Sequence, residues 1–536
     1  MPPCRLNTGL NAEVLARLRT SVGGTARLDL LILVGLLVLA AAVRFVDLST
    51  RGAWDADQGH DMLVLHGITR GEIPLLGPPT SIGDFHHGVL YYYLLAPAAL
   101  LSGGDPYWVV AEIAAAGVAA VGVTWWLARS IGGSVAGPVA GLLMAVSASA
   151  IDESTFIWNP NLIALSSSIA LAGAWRARTT GRARWWLVAA FGVIVTMHCH
   201  VLGTILLPPV AALAIADARR RDRVDRRRIV GALVAGLLLL FVSYVPLLIH
   251  ELQFEGSELR AAAAFLAGGA GSGSALPVRA AIVAMRVLAW PLTGLITTAP
   301  LVALLASGCV VAIVAWLAGS RDPSRRFVAR WFGLTLLWTI VALTFAAGSL
   351  ATVIPGLPND HYHAFADPIV FVVVGLGLAA LARWRPERRP VGVAAAVGAV
   401  VLLVAYNITI WPPKVAPDGG WPAADAAGAR ILTSAPGASA EDLLVLHSLP
   451  TFKSADAVRF PLVRRGAMAP ELFGDPIGFD ELAHVVVCDA LFRDAIGAEC
   501  AGPAEDRLVE PYGVTLVDRF EAAPGRWISV YLPAQQ

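Results

Sequence analysis

The residues best placed to do chemistry follow the first apolar run, in RGAWDADQGHDMLVLHGITRGEIPLLGPPTSIGDFHHGVLYYY, residues 51–93. This stretch gathers Asp55, Asp57, Asp61 and Asp84 with His60, His66, His86 and His87. Asp57 and Asp61 are four apart, so a helix here presents both on one face. A carboxylate beside a low-dielectric boundary is harder to ionise and therefore more basic, which suits it to take a proton from a hydroxyl. A single aspartate in a loop is ordinarily just hydrated; the clustering with histidines is what favours the chemical reading.

Three further constellations and a set of arginines could complete such a site. TFIWNPN, residues 155–161, offers the amides of Asn159 and Asn161, although Asn159 before Pro160 also suits a helix cap and first turn. His198 and His200 flank Cys199. Two residues apart they do not share a helical face, so hydrogen bonding in a polar pocket is favoured over a metal site. In PNDHYHAFADP, residues 358–368, the side chains of His361, Tyr362 and His363 can donate to a phosphate at the positive end of the helix they open, or anchor that helix at the interface. Arg260, Arg279 and Arg286 are candidate counter-charges for an anionic lipid head.

The elements that must position these residues are set by composition. Of 536 residues, 57% are hydrophobic and 15% charged, with 40 basic side chains against 39 acidic. Soluble domains carry about 25% charged residues, so the chain is built for lipid. Its near-neutral balance and lack of a long basic block exclude nucleic acid as a partner. Residues 1–411 hold 30 basic and 22 acidic groups in apolar text, whereas 412–536 hold 10 and 17 in soluble composition, with the boundary at Trp411-Pro412-Pro413. Upstream of it the apolar runs are long enough to cross the bilayer as helices.

Orientation follows from the arginines. Clusters at 5–27, 129, 176–184, 219–228, 321–330 and 383–389 hold 24 of the 30 arginines of the membrane part, and the positive-inside rule puts them in the cytoplasm. About eleven crossings satisfy that parity, near 28–46, 106–128, 134–150, 161–175, 185–198, 200–217, 229–249, 298–318, 330–349, 364–382 and 391–410. The run 88–101 and residues 280–296 are read as interfacial helices. The expected architecture is thus a polytopic α-helical membrane protein with a cytoplasmic N-terminus (1–27), a transmembrane domain (28–411) and an extracytoplasmic α/β domain (412–536). Its long first outer loop covers 47–105. The first span is an anchor and not a removed signal, since no small-residue cleavage site follows it. In the tail, 443–448, 484–490 and 526–532 read as strands, and Cys488 and Cys500, on the oxidising side, are a disulfide candidate. Asn407 matches a glycosylation sequon but falls within the last span and is discounted.

One span, an acidic outer loop, HHGVLYYYLLAP, the WNPN turn, the HYHAF entry to a late span and an outer tail, taken in that order, resemble the C-type glycosyltransferase superfamily (GT-C). The branch concerned contains the protein O-mannosyltransferases and the lipid A aminoarabinose transferase, and is family 39-like. The likeness covers residues 28–410 and rests on the ordered combination, because no single motif is specific. It implies transfer of a sugar from a polyprenyl-phosphate carrier to a glycan, lipid or protein acceptor, at the outer face of a cytoplasmic membrane of bacterial type. It also implies an aspartate of the first outer loop as general base. Relatives often carry an Asp-Glu pair; here the matching text is Asp57-Gln58, which shifts weight to Asp57, with Asp55 and Asp61 as rivals. No metal ligand set is assigned, and the missing second acid leaves a divalent metal ion open.

The physical demands agree with that expectation. A lipid-linked donor has its leaving phosphate fixed at the headgroup plane, so catalysis requires an in-line acceptor, removal of its proton and stabilisation of the departing phosphate. In-line attack inverts the anomeric centre. The competing class is a transporter or flippase, which would place ionisable groups mid-span and show two similar halves. Here charges cluster at span ends, Glu112 is the clearest interior acid, and no internal repeat is evident.

Overall fold

Helices dominate the structure, a computed structural model that describes residues 24–80, 85–268, 274–346, 360–386, 389–435, 443–469 and 482–533. Among these residues eight helices are long and apolar enough to cross a membrane, and nine if the bent pair Arg223–Ser243 and Val245–Gln253 is one span. The protein is a multi-pass membrane protein. The expected count of eleven differs because Ala136–Val146 and Arg184–Cys199 form shorter apolar helices and because the helix Ile163–Thr180, at the expected span 161–175, is not among the eight. The segment expected to be interfacial at 280–296 forms the helix Leu276–Thr293, which is one of the eight. Length and composition therefore do not mark it as interfacial. The helix Leu90–Ser102 has 13 residues, too short to span.

Helix ends are closed by local chemistry. The Asp105 side chain accepts from the Tyr107 N–H at 2.9 Å and opens the helix Pro106–Gly132, with proline at its first turn. Arg44, buried at the end of the first helix Gly24–Phe45, donates to the carbonyls of Met144 at 3.2 Å and Ala145 at 3.0 Å. Those are orphan acceptors at the C-terminal end of Ala136–Val146, so a buried charge ties two helices together. Asn407 is buried; its Oδ1 accepts from Ala148 N at 2.8 Å and its Nδ2 donates to Leu292 O at 2.9 Å.

The tail forms a four-stranded sheet of order β1-β2-β4-β3, with β1 Leu444–Leu449, β2 Ala483–Asp489, β3 Val514–Ala523 and β4 Arg526–Pro533. β1 and β2 pair in parallel, and the β2–β4 and β3–β4 pairs are antiparallel. Val445, Val485, Val486, Ile528 and Val530 are fully buried, which is what short β-branched runs require. Cys488 and Cys500 are joined by a disulfide.

Packing between tail and membrane part concentrates on the helix Ala56–Thr69, which carries Asp57 and Asp61, and the tail helix Asp456–Arg464. Gly59 makes the contact possible, since a Cβ there would lie 2.1 Å from the Asp456 carbonyl oxygen. Trp54 sits beside it in a cluster with Trp421 and Phe460, and its indole N–H donates to Ala457 O at 2.8 Å.

Candidate active site

The three candidate aspartates occupy three different environments on one helix. Asp55 precedes the first turn of Ala56–Thr69, and its backbone N–H donates to Gln58 Oε1 at 2.8 Å in a capping box. Its carboxylate is met by two cations of the tail, Arg526 Nη2 at 2.7 Å and Lys453 Nζ at 3.0 Å. Asp61 is buried, and each of its oxygens accepts from a tyrosine hydroxyl at 2.8 Å, Oδ2 from Tyr91 and Oδ1 from Tyr92. Burial raises its pKa to about 7 against the pull of those hydrogen bonds.

Asp57 differs from both. Its only hydrogen bond among the described residues comes from the Trp158 indole N–H, at 3.2 Å to Oδ2. The carboxylate opens on a cavity yet stands deep among protein atoms, and that desolvation, helped by the charge of Asp55, raises its pKa. A carboxylate so held is accessible and more basic than one in water.

The cavity encloses about 740 Å³ including its mouth, and Asp57, Asp61, His87, Asn159, His200 and Tyr362 are among its walls. The acids come from the helix Ala56–Thr69, so the i, i+4 spacing does place both on the cavity side. His87 and His200 stack with ring centroids 4.6 Å apart. His87 Nδ1 accepts from Val201 N at 3.2 Å and His200 Nδ1 from Leu202 N at 3.1 Å. A neutral imidazole that accepts at Nδ1 carries its hydrogen on Nε2, so both rings are N–H donors. Burial, with His86 adding to it, holds the His87 pKa down to about 3, which keeps that ring neutral. His60, also on the wall, pairs through Nδ1 with Asp456 Oδ2 of the tail at 3.1 Å.

Other sequence candidates serve elsewhere. Asn159 does not cap a helix: it opens a 3-10 turn, Asn159–Leu162, and its amide donates to Cys199 O, tying that turn to the histidine-bearing break. Asn161 donates to Phe156 O at 2.8 Å and faces a separate small cavity near Arg44. His198 lies inside the helix Arg184–Cys199, bonded to Ser243 Oγ at 2.8 Å and stacked on Tyr244, whereas His200 follows in extended backbone. His86 pairs with Glu258 at 3.0 Å, and His363 with Asp367 at 3.0 Å. Arg260 reaches Glu255 O, Arg279 reaches Thr344 O at 3.3 Å, and Arg286 is fully buried; none of the three is on the cavity wall. The His361 side chain and Asp84 lie outside the described residues.

Among the described residues the one group of three potential ligands within 4.8 Å of one another is Cys488, Cys500 and Glu505, in the tail, and its two sulfurs are consumed by the disulfide.

No sequence-family model matches the chain, and no curated protein matches it. In structure it is similar to ArnT from Cupriavidus metallidurans in the apo state, with a TM-score of 0.57 at 13% identity, over 93% of this chain and 97% of that one. ArnT from the same organism bound to undecaprenyl phosphate gives 0.53 at 16% identity over the same shares. The Archaeoglobus fulgidus oligosaccharyltransferase tethered with an acceptor peptide containing the NVT sequon gives 0.50 at 12% identity, over 95% of this chain and 74% of that one. The chain shares the fold of ArnT.

Within this fold the cavity also uses residues that sequence reasoning missed. Tyr91 and Tyr92 were read as interfacial aromatics, yet they clamp Asp61. Consecutive tyrosines opposite an acid-bearing helix are a signal only once the two helices are known to pack. Lys453, Asp456 and Arg526 lie about 400 residues or more beyond the loop they hold, and nothing local in the sequence announces that contact.

Proposed function

We propose that this protein is a membrane glycosyltransferase that moves a sugar from a polyprenyl-phosphate-linked donor to an acceptor hydroxyl, at the outer face of a bacterial cytoplasmic membrane. One observation carries the assignment of the base: of the three aspartates, Asp57 alone keeps a carboxylate open to the cavity, while Asp55 is ion-paired and Asp61 is bound at both oxygens. The fold likeness to ArnT, one structure of which holds undecaprenyl phosphate, supports the donor class.

The reaction is a single displacement. Asp57 takes the proton of the acceptor hydroxyl as its oxygen attacks the anomeric carbon. The carbon–oxygen bond to phosphate breaks, its electron pair leaves on the polyprenyl phosphate, and the anomeric centre inverts. Neutral N–H donors at His87 and His200, with the Tyr362 hydroxyl, face the departing phosphate without adding a charge that would trap it as product. No covalent glycosyl-enzyme forms. Glycan, lipid or protein can supply the acceptor hydroxyl.

Reconstitution in vesicles with a polyprenyl-phosphate sugar and a mixture of hydroxyl acceptors tests this reading. The expected result is release of free polyprenyl phosphate in step with a glycosylated product of opposite anomeric configuration. Movement of the intact lipid-linked sugar between leaflets with no release of lipid phosphate would instead identify a flippase.

A further inference from the structure

The end of the bundle opposite to the Asp57 cavity holds a second, differently built concavity. That cavity is lined by the residues at the N-terminal side of the helices Ile163–Thr180 and Leu207–Arg220 and by Ala346 at the last turn of Pro323–Ala346. The second pocket, of about 780 Å³, is lined by the other ends of the same three helices, with Arg178, Thr179, Asp217, Arg220, Arg221 and Ser324 on its wall. Three guanidinium groups thus face one carboxylate. Arg178 and Arg221 converge on Asp217 Oδ1 at 3.6 and 3.5 Å, and Arg221 also donates to Arg178 O at 2.9 Å. Asp217 is buried, so it holds two of the cations in place and leaves an excess of positive charge at the mouth.

The pocket does not end in polar surface. Phe327, whose ring lies 4.0 Å from the Arg178 guanidinium carbon, forms its inner edge and is also the first residue of an apolar groove of about 960 Å³. That groove runs between the helices Leu207–Arg220 and Pro323–Ala346, past Ala212, Trp331 and Leu334 to Trp338. At a rise of about 1.5 Å per residue, Phe327 to Trp338 is about 16 Å, close to half of a bilayer hydrocarbon core of about 30 Å. The groove stops where the Trp338 indole N–H donates to Ile205 O at 2.9 Å, the turn just beyond the Val201 and Leu202 walls of the Asp57 cavity. Leu334 is 67% exposed and Trp338 42%, so the walls are open to whatever surrounds the bundle.

We propose that pocket and groove together bind an anionic phospholipid of the leaflet facing away from the Asp57 cavity. The phosphodiester sits among Arg178, Arg220, Arg221 and the Ser324 hydroxyl, and one acyl chain lies in the groove. A soluble anion would use the cations but has no need of the groove. A polyprenyl chain would overrun it, since the groove from Phe327 to Trp338 extends over only about half of a bilayer hydrocarbon core. Basic pockets between helices at a membrane surface are suited to anionic headgroups, with each arginine there worth about a fivefold change in binding. The site is separate from the proposed sugar transfer and does not depend on it.

Native mass spectrometry of the delipidated full-length protein tests the site, with phosphatidylglycerol and phosphatidylcholine offered at equal concentration. Phosphatidylglycerol is expected to be retained at least fivefold better, Arg220→Gln to reduce that retention about fivefold, and Ala212→Phe, which fills the groove, to reduce it further. Equal retention of the two lipids would overturn the proposal. So would loss of bound phosphatidylglycerol to millimolar inorganic phosphate combined with no effect of Ala212→Phe, which would mark a free-phosphate site. Both substituted positions are exposed, and if Ala212→Phe does not elute as a single species, the Arg220→Gln comparison alone decides.

Discussion

The two concavities at opposite ends of the bundle share three helices and have opposite chemistry. At one end carboxylates and imidazoles line a cavity, and the tail packs on the helix that carries the acids; at the other, guanidinium groups stand at the head of an apolar groove. The difference lies in how charge is allowed to persist. Asp57 and Asp61 are crowded by protein and their pKa values rise, so protons are held or accepted there. Arginine cannot lose its proton at any ordinary pH, so the other end can attract but not exchange protons. The proposed proton transfer therefore suits the first end and the proposed lipid binding the second.

The largest expected effect short of removing Asp57 comes from separating the tail from the acid-bearing helix. Gly59→Ala would push a Cβ into the Asp456 carbonyl, at 2.1 Å in the native arrangement, and overpacking of this kind costs about 1–3 kcal/mol. Sugar transfer should fall at least tenfold as Asp57 shifts, while phosphatidylglycerol retention at the far end stays at the parent level. A parallel loss of both would mean that the two ends are not independent.

Next in size is Tyr92→Phe. It removes one of the two donors to Asp61 and leaves a buried carboxylate oxygen without a partner, a loss of about 1–3 kcal/mol measurable by chemical denaturation in detergent. Tyr91→Phe should match it, because the two bonds have the same 2.8 Å length.

A pH series isolates Asp61 itself. Its pKa is about 7 in the folded protein against about 4 for an unperturbed aspartate, so the native state binds the extra proton and stability falls as pH rises from about 4 through 7. The His87 imidazole, held down to about 3, contributes the opposite slope below its ordinary pKa of about 6.5. The difference between the parent and Asp61→Asn therefore carries the signal: the parent melting temperature should decline relative to the variant between pH 5 and 8. A constant offset over that range would place the Asp61 pKa outside it.

The smallest effect is expected for Lys453→Ala. Its ammonium pairs with both Asp55 and Asp489, but Arg526 also reaches both acids, at 2.7 and 3.9 Å, so one cation remains. A stability loss of about 0.5–1 kcal/mol is expected, from partly exposed pairs. Arg526→Ala should cost more, since that guanidinium also donates to Trp54 O at 2.9 Å.

These residues also show what the chain discloses before it is folded. Helices were legible because lipid permits little else, and the 57–61 spacing was legible because helical periodicity is fixed. Three of the four tail strands were legible as short apolar runs. β3 was not: it is an edge strand with two register shifts and largely exposed residues, so it lacks a buried apolar alternation. The roles of Asp55, Asp57 and Asp61 were not separable, because what distinguishes them comes from Arg526, Lys453, Trp158, Tyr91 and Tyr92, none of them in the acidic loop's first turns. The capping reading of Asn159 failed for a related reason: its amide is claimed by a carbonyl forty residues away. Local sequence assigned it to its own turn.

Single-turnover transfer by the Asp57→Asn protein, reconstituted with saturating polyprenyl-phosphate sugar, tests the central claim most directly. A general base contributes about 10²- to 10⁴-fold, so the variant should be slower by that factor while donor binding and thermal stability stay close to the parent. Transfer within tenfold of the parent rate would contradict the assignment of Asp57 and return Asp61 and His60 to consideration as the group that accepts the proton.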